Sequence, residues 1–124
     1  MTDTHSKITY MDAIVQAQKE EMLRDERVVL IGEDISIYGG TELVKTFDER
    51  RVRNTPISEN SFTGMAVGAA MTGLRPIVDL TIASFAYLAS DQIINQASKL
   101  RYMTGGQMQV PVVFRFGMYY NCGN

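Results

Sequence analysis

Short apolar runs rich in β-branched residues alternate along this chain with longer segments of helical periodicity, and this alternation is the strongest constraint on the fold. The run Val28–Gly32 is continuous and bounded by a glycine, which predicts a buried strand. Similar runs occupy Val52–Ser58, Pro76–Ile82 and Val110–Phe116. Strands that alternate with helices need crossover connections. The pattern therefore predicts an α/β fold with a mainly parallel sheet and helices on both faces.

Three segments around these strands predict the main helices. They are Thr9–Asp25, Phe62–Gly73 and Ser84–Met103. Thr9 and Asp12 have the spacing of an N-terminal cap, and Asn60 or Ser61 could cap the second helix. The third helix is the longest, and its periodicity places Ile94 on the apolar face.

Composition narrows the classes of protein to which the chain can belong. The chain has 124 residues, 45% hydrophobic and 21% charged, with a formal net charge of -2. These values suit one globular domain and argue against a binder of nucleic-acid phosphates. The single cysteine, Cys122, and the single histidine, His5, exclude an intrachain disulfide and a His-pair metal site. We expect a polar tail over residues 1–8 and one domain over residues 9–124.

The chain also lacks the sequence signals of a membrane protein. No apolar run approaches the ~18 residues of a membrane span, and the N-terminus has no apolar core of a secretory signal. The sequence therefore predicts a cytoplasmic protein without a membrane partner.

Candidate functional residues lie where the predicted strands end, because ligands of parallel sheets collect beyond the carboxyl ends of the strands. Glu33 and Asp34 follow the first strand and point to opposite faces, so they cannot both enter one pocket. Glu59 lies where the second strand passes into a helix, and it either caps that helix or meets a ligand nitrogen. Phe85 follows the third strand and is either a core aromatic or a stacking surface for a planar ring.

Six stretches, in the same order, resemble the β subunit of the E1 component of 2-oxo acid dehydrogenase complexes. They are Ile31–Asp34, Thr55–Glu59, Gly64–Ala70, Gly73–Ile77, Asp91–Lys99 and Val110–Arg115. The resemblance runs from about Ile8 to Arg115. It implies a thiamine diphosphate enzyme of α2β2 type. It also implies the pyrimidine-binding fold that this family shares with transketolase.

The resemblance implies roles for particular residues. Glu59 matches the glutamate that hydrogen-bonds N1′ of the aminopyrimidine and favours the imino tautomer, whose nitrogen removes the thiazolium C2 proton. Phe85 matches the aromatic residue that stacks on the pyrimidine, and Ile57 matches a residue beside that ring. Glu33 matches an acidic position with a supporting role. Val112 matches a position whose carbonyl binds a structural potassium ion in some members.

The resemblance also implies partners. In this family a G-D-G…N motif on the α subunit holds the diphosphate and Mg²⁺, and this chain has no such motif. The acyl group left after decarboxylation of the 2-oxo acid passes to the lipoyl arm of the E2 acyltransferase. The family's histidine after the fourth strand and its second domain have no match here. We therefore expect an amino-terminal fragment whose pyrimidine domain is truncated and which is inactive alone.

Two other interpretations stay open at the level of sequence. The chain could belong to a single-chain enzyme such as transketolase or deoxyxylulose-phosphate synthase, although Met1 directly precedes the match to the β subunit. It could instead be an interaction domain of the same fold without a cofactor, although Glu59 and Phe85 are both present. The sequence does not choose among pyruvate, branched-chain 2-oxo acids and acetoin-type substrates.

Overall fold

A computed structural model describes residues 7–37 and 39–118, which are organised around one four-stranded sheet. The strands β1–β4 are Val28–Gly32, Val52–Asn54, Arg75–Ile82 and Val113–Gly117. The helices α1–α4 are Tyr10–Arg24, Thr41–Thr46, Glu59–Met71 and Leu100–Met103. A 3₁₀ helix (Ala83–Tyr87) and a π-helix (Asp91–Ala97) lie between β3 and α4.

The sheet has the strand order β2-β1-β3-β4, and every neighbouring pair is parallel. The register places Leu30 of β1 opposite Val52 on one side and Ile77 on the other. Parallel neighbours require crossover connections, which here contain α2, α3 and the segment from the 3₁₀ helix to α4. The predicted parallel α/β sheet is confirmed, and the residues that follow β1, β2 and β3 all gather at its carboxyl edge.

Helices cover both faces of the sheet, as predicted, and each face has its own core. The core on the α1 and α2 face consists of Val15, Met22, Val28, Leu30, Ile35, Leu43 and Val52. The core on the α3 face consists of Val29, Ile31, Phe62, Ala66, Val78, Leu80 and Ala89. Successive residues of β1 and β3 point to alternate faces and so enter both cores. These strands are buried on both sides, which explains their continuous apolar sequence.

The predicted N-terminus of α1 is confirmed. The hydroxyl of Thr9 accepts a hydrogen bond from the backbone N–H of Asp12 at 3.1 Å, which satisfies one free donor of the first turn. The predicted cap of α3 is wrong, because α3 begins at Glu59 and its first turn already contains Asn60 and Ser61. The carbonyl of Ser58 starts the helix by accepting the N–H of Ser61 at 2.9 Å.

Residues 84–103 do not form the single helix that the sequence predicts. In the π-helix the N–H of Ser98 bonds the carbonyl of Ile93, five residues earlier, at 3.2 Å. This wider turn changes which side chains share a face. Ile94, predicted to be buried, is 57% exposed. Gly105 and Gly106, with φ of +61° and +84°, follow α4 and end the helical segment.

Two strands are shorter than predicted, and each boundary lies near a proline. β2 ends at Asn54, before Pro56, and β4 begins at Val113, after Pro111. Proline has no N–H to give to the ladder, so neither segment continues as a regular strand across it.

Some predictions lie outside the described part of the chain. His5 and Cys122 are both in this group. The predicted division into residues 1–8 and 9–124 stays a prediction, although α1 begins close to that boundary. Within the described ranges, none of the helices has the length and apolar character needed to cross a membrane.

Candidate functional site

The carboxyl edge of the sheet brings three predicted site residues to adjacent strand ends. Glu33 directly follows β1, Glu59 follows β2 as the first residue of α3, and Phe85 follows β3 in the 3₁₀ helix. Because β1 lies between β2 and β3, Glu33 has the central place among the three. This edge is where a doubly covered parallel sheet binds its ligands.

Glu33 is a buried carboxyl group beside other carboxylates. It is 4% exposed. Burial, followed by the negative charges of Glu59 and Asp34, raises the pKa of Glu33 above its ordinary value. A hydrogen bond from the backbone N–H of Ser58 acts in the opposite direction and lowers the pKa. Glu33 and Glu59 follow the neighbouring strands β1 and β2 at the same edge of the sheet.

Glu59 is also buried, at 8% exposure, and it occupies the first position of α3. The positive end of the helix dipole favours a carboxylate in the first turn. The Ser58 hydroxyl donates to the carbonyl of Pro56 at 3.1 Å and makes no capping bond. The position thus combines burial with the end of a helix that favours a carboxylate.

The site contains polar oxygens that suit a nitrogen-bearing ligand. Among the described residues, three buried side-chain oxygens have no hydrogen-bond partner: Glu33 Oε2, Thr55 Oγ1 and Thr63 Oγ1. Buried polar atoms are nearly always paired, so each of these oxygens can bond a water molecule or a ligand. The exocyclic amino group of an aminopyrimidine, such as that of thiamine diphosphate, is a donor of the kind that Glu33 Oε2 lacks. The residues at this edge therefore fit that group.

Two apolar residues border the carboxylates. Ile57, two positions before Glu59, is 75% exposed, and Phe85 is half-buried. Phe85 lies on the β3 side of Glu33 and Ile57 on the β2 side. The predicted contacts of both residues with a cofactor ring remain predictions. Their positions at the same edge of the sheet agree with them.

The structure does not bring Val112 to this edge. Val112 directly precedes β4, so it lies at the amino edge of the sheet, and its N–H donates to the carbonyl of Val110 at 2.9 Å. It lines a groove of about 740 Å³ together with Val28 and Arg75, which begin β1 and β3. The predicted potassium contact stays a prediction. Across residues 7–37 and 39–118, no group of three or more acidic, histidine or cysteine side chains could hold a metal ion.

Sequence reasoning missed a buried ion pair beneath the carboxyl edge. Asp79 of β3 is 3% exposed and pairs with Arg115 of β4. The backbone of Asp79 also lies against Gly32 of β1, where a Cβ would approach the Asp79 carbonyl oxygen to 2.4 Å. One signal was present in the sequence, since an aspartate inside an apolar strand requires a partner.

Comparison with known proteins supports the fold. Residues 6–123 match the family model described as transketolase, pyrimidine binding domain. The chain is 46% identical over 114 residues to the pyruvate dehydrogenase E1 component subunit beta of Rickettsia conorii. It is 47% identical over 114 residues to the mitochondrial pyruvate dehydrogenase E1 component subunit beta of Homo sapiens. It is 50% identical over 115 residues to the pyruvate dehydrogenase E1 component subunit beta of Porphyra purpurea.

These alignments cover nearly all of this chain and a smaller part of each relative. They include 88%, 88% and 89% of this chain, but 35%, 32% and 35% of the respective relatives. The chain therefore spans about a third of the length of the curated relatives that it matches. The family match, the parallel sheet and the identity to E1 β subunits agree with one another and confirm the resemblance seen in the sequence. The chain belongs to the transketolase pyrimidine-binding domain family.

Proposed function

We propose that this chain supplies the aminopyrimidine-binding half of the active site of a thiamine diphosphate-dependent 2-oxo acid dehydrogenase. The observation that carries the proposal is the pair of buried carboxyl groups, Glu33 and Glu59, at adjacent strand ends. Nothing in the sheet core needs two acidic groups there. A cofactor ring that presents an amino group and a ring nitrogen gives both of them a function.

Each residue at the edge has a distinct part in this proposal. Glu59 accepts a hydrogen bond from N1′ of the aminopyrimidine and shares its proton. When bound, thiamine diphosphate supplies the carbanion at its thiazolium C2 that attacks the 2-oxo group. Glu33 supports the polar side of the ring, Phe85 stacks on its face, and Ile57 contacts its edge. Burial keeps water away from the Glu59 carboxyl group, so the proton that it shares would pass to and from N1′ of the ring and not to solvent.

The remaining parts of the proposed enzyme come from other chains. An α subunit in an α2β2 assembly would hold the diphosphate and Mg²⁺, and an E2 acyltransferase would accept the acyl group on its lipoyl arm. The carbonyl of Val112 is the proposed potassium ligand. Pyruvate is the proposed 2-oxo acid, because the relatives are named as pyruvate dehydrogenase subunits. A cytoplasmic location is part of the same proposal.

The comparisons favour this proposal over the alternatives. The relatives at 46–50% identity are E1 β subunits, which favours that class over single-chain enzymes of the transketolase type. An interaction domain without a cofactor would have no use for the unpartnered oxygen of Glu33.

The test substitutes Glu59 in the chain assembled with its α subunit. Glu59→Gln keeps a side chain of the same size but cannot share a proton, so we expect turnover of pyruvate to fall by about 10²–10⁴-fold. Circular dichroism should show an unchanged fold. The matched control is Glu26→Gln, because Glu26 is exposed and precedes β1 at the opposite edge of the sheet from the site, and this variant should turn over normally. Near-normal turnover in Glu59→Gln, or a wild-type assembly that does not bind thiamine diphosphate, would contradict the proposal.

A further inference from the structure

The ion pair of Asp79 and Arg115 lies directly below the carboxyl edge of the sheet. The two side chains are 4% and 16% exposed. Arg115 also approaches the sulfur of Met11 at 2.9 Å, which connects the pair to α1. A buried ion pair adds little stability compared with apolar packing, because both charges lose their hydration. Its presence inside the sheet therefore calls for another explanation.

The carboxylate oxygen of Asp79 that does not bond Arg115 binds the backbone of Thr81, which has an unusual conformation. Asp79 Oδ1 accepts the N–H of Thr81 at 2.9 Å. Thr81 has a φ of +60°, in the left-handed region that β-branched residues rarely adopt. Arg115 bonds Oδ2 and so fixes the carboxylate in the orientation that offers Oδ1 to Thr81. The pair thus stabilises a backbone conformation that threonine disfavours.

The conformation of Thr81 determines the direction that the chain takes after β3. The register with β4 pairs Asp79 with Arg115 and then Ile82 with Gly117, so β3 contains one extra residue at this point. Such a bulge bends the strand and redirects the chain beyond it. Directly after the bulge, the chain enters the 3₁₀ helix that carries Phe85.

The same position also controls the spacing to β1. The carbonyl oxygen of Asp79 lies so close to Gly32 that a Cβ there would be 2.4 Å away. Gly32 directly precedes Glu33 in the sequence. A shift of the backbone at Asp79 would therefore displace Phe85, through Thr81. It would also displace Glu33, through Gly32.

We infer that Asp79, oriented by Arg115, is a positioning residue that holds the Thr81 bulge and thereby places Phe85 against the cofactor ring. The inference rests on the proposed function, because it takes the carboxyl edge as the ring site. Without the Asp79 acceptor, Thr81 loses the bond that offsets its strained φ, and β3 relaxes towards an extended strand. Phe85 then moves away from the position in which it stacks on the ring.

The experiment compares two double variants that differ by one amide group, both assembled with the α subunit. Asp79→Asn with Arg115→Met removes both charges but keeps an oxygen for the Thr81 N–H. Asp79→Ala with Arg115→Met removes the charges and that oxygen. Neither variant leaves an unpaired buried charge. The readouts are the Kd for thiamine diphosphate at saturating Mg²⁺, measured by calorimetry, and the hydrogen exchange of the Thr81 amide without the cofactor.

The inference predicts a difference between the two variants that a role of the ion pair in stability alone would not produce. We expect the asparagine variant to stay near the wild-type Kd and the alanine variant to bind about tenfold more weakly, as the loss of one hydrogen bond implies. The Thr81 amide should exchange faster in the alanine variant only. Equal Kd values and equal exchange in the two variants would overturn the inference. A wild-type assembly that binds no thiamine diphosphate would instead overturn the proposed function.

A further variant covers the case in which the alanine variant does not assemble. Thr81→Gly is then added to it, because glycine adopts a φ of +60° without strain. Recovery of assembly supports the link between Asp79 and Thr81. Failure to recover overturns it.

Discussion

Replacing Gly32 with alanine would put a methyl group against the backbone of the neighbouring central strand. The ideal Cβ lies 2.4 Å from the carbonyl oxygen of Asp79 and 3.0 Å from its Cβ. Lengthening the closer contact from 2.4 to 3.0 Å requires β1 and β3 to separate locally by about 0.6 Å. The oxygen belongs to the main chain, so no side-chain rotation can relieve the contact.

The expected magnitude is the balance of two opposing effects. Overpacking in a rigid core destabilises by about 1–3 kcal/mol, and a contact with backbone between two paired strands belongs in the upper part of that range. Gly32 has no positive φ, so alanine also restricts the unfolded chain and returns about 0.4–1 kcal/mol. We therefore expect a net loss of about 1–2 kcal/mol in the free energy of unfolding.

Urea unfolding followed by circular dichroism measures this loss, with Gly68→Ala as the matched control. Gly68 lies within α3, and a Cβ there meets nothing within 4 Å. The same substitution should stabilise the chain at that position by about 0.5–1 kcal/mol, because glycine disfavours a helix interior. The two variants should thus shift in opposite directions. A Gly32→Ala chain as stable as the wild type would refute the close approach of β1 and β3.

Two further predictions concern ionisation. The pKa of Glu33 is raised in the folded state, so the free energy of unfolding should fall as the pH rises above the ordinary value of 4.5 and through the raised pKa. Glu33→Gln should remove this fall, and the variant should be more stable than the wild type near neutral pH. Urea unfolding across pH checks this, and parallel curves for the two proteins would contradict it. The guanidinium of Arg27 hydrogen-bonds Asp25 and lowers the pKa of that carboxyl group to about 2. Arg27→Gln should therefore raise the pKa of Asp25 towards 3.8 in an NMR titration. An unchanged pKa would exclude the guanidinium as the cause.

The sequence predicted the fold correctly where a local pattern of residues is compatible with only one type of secondary structure. Val28–Gly32 is short, apolar and bounded by glycine, and it forms a fully buried strand as expected. Residues 84–103 have a helical spacing that suits both α and π turns, so periodicity alone could not predict the break into three short helices. Their hydrogen bonds depend on what packs against the segment, and the spacing of apolar residues does not encode that.

The site was predictable in place but not in its electrostatics. The strand-end rule led to Glu33 and Glu59, and both lie at the carboxyl edge. The raised pKa of Glu33 depends on burial and on neighbours from another strand end, which the sequence does not bring together. Asp79 was missed for the same reason, since its partner Arg115 is 36 positions later in the chain.

The residues of the candidate site differ in how much of each side chain is exposed to solvent. Glu33 and Glu59 are both buried within this chain, and burial raises the pKa of Glu33. Ile57 and Tyr87 are mostly exposed at the same edge. Apolar side chains there gain about 25 cal/mol for each Å² removed from water. A bound ring and the α subunit that we propose as a partner would supply that burial, whereas the two carboxyl groups are already buried within this chain.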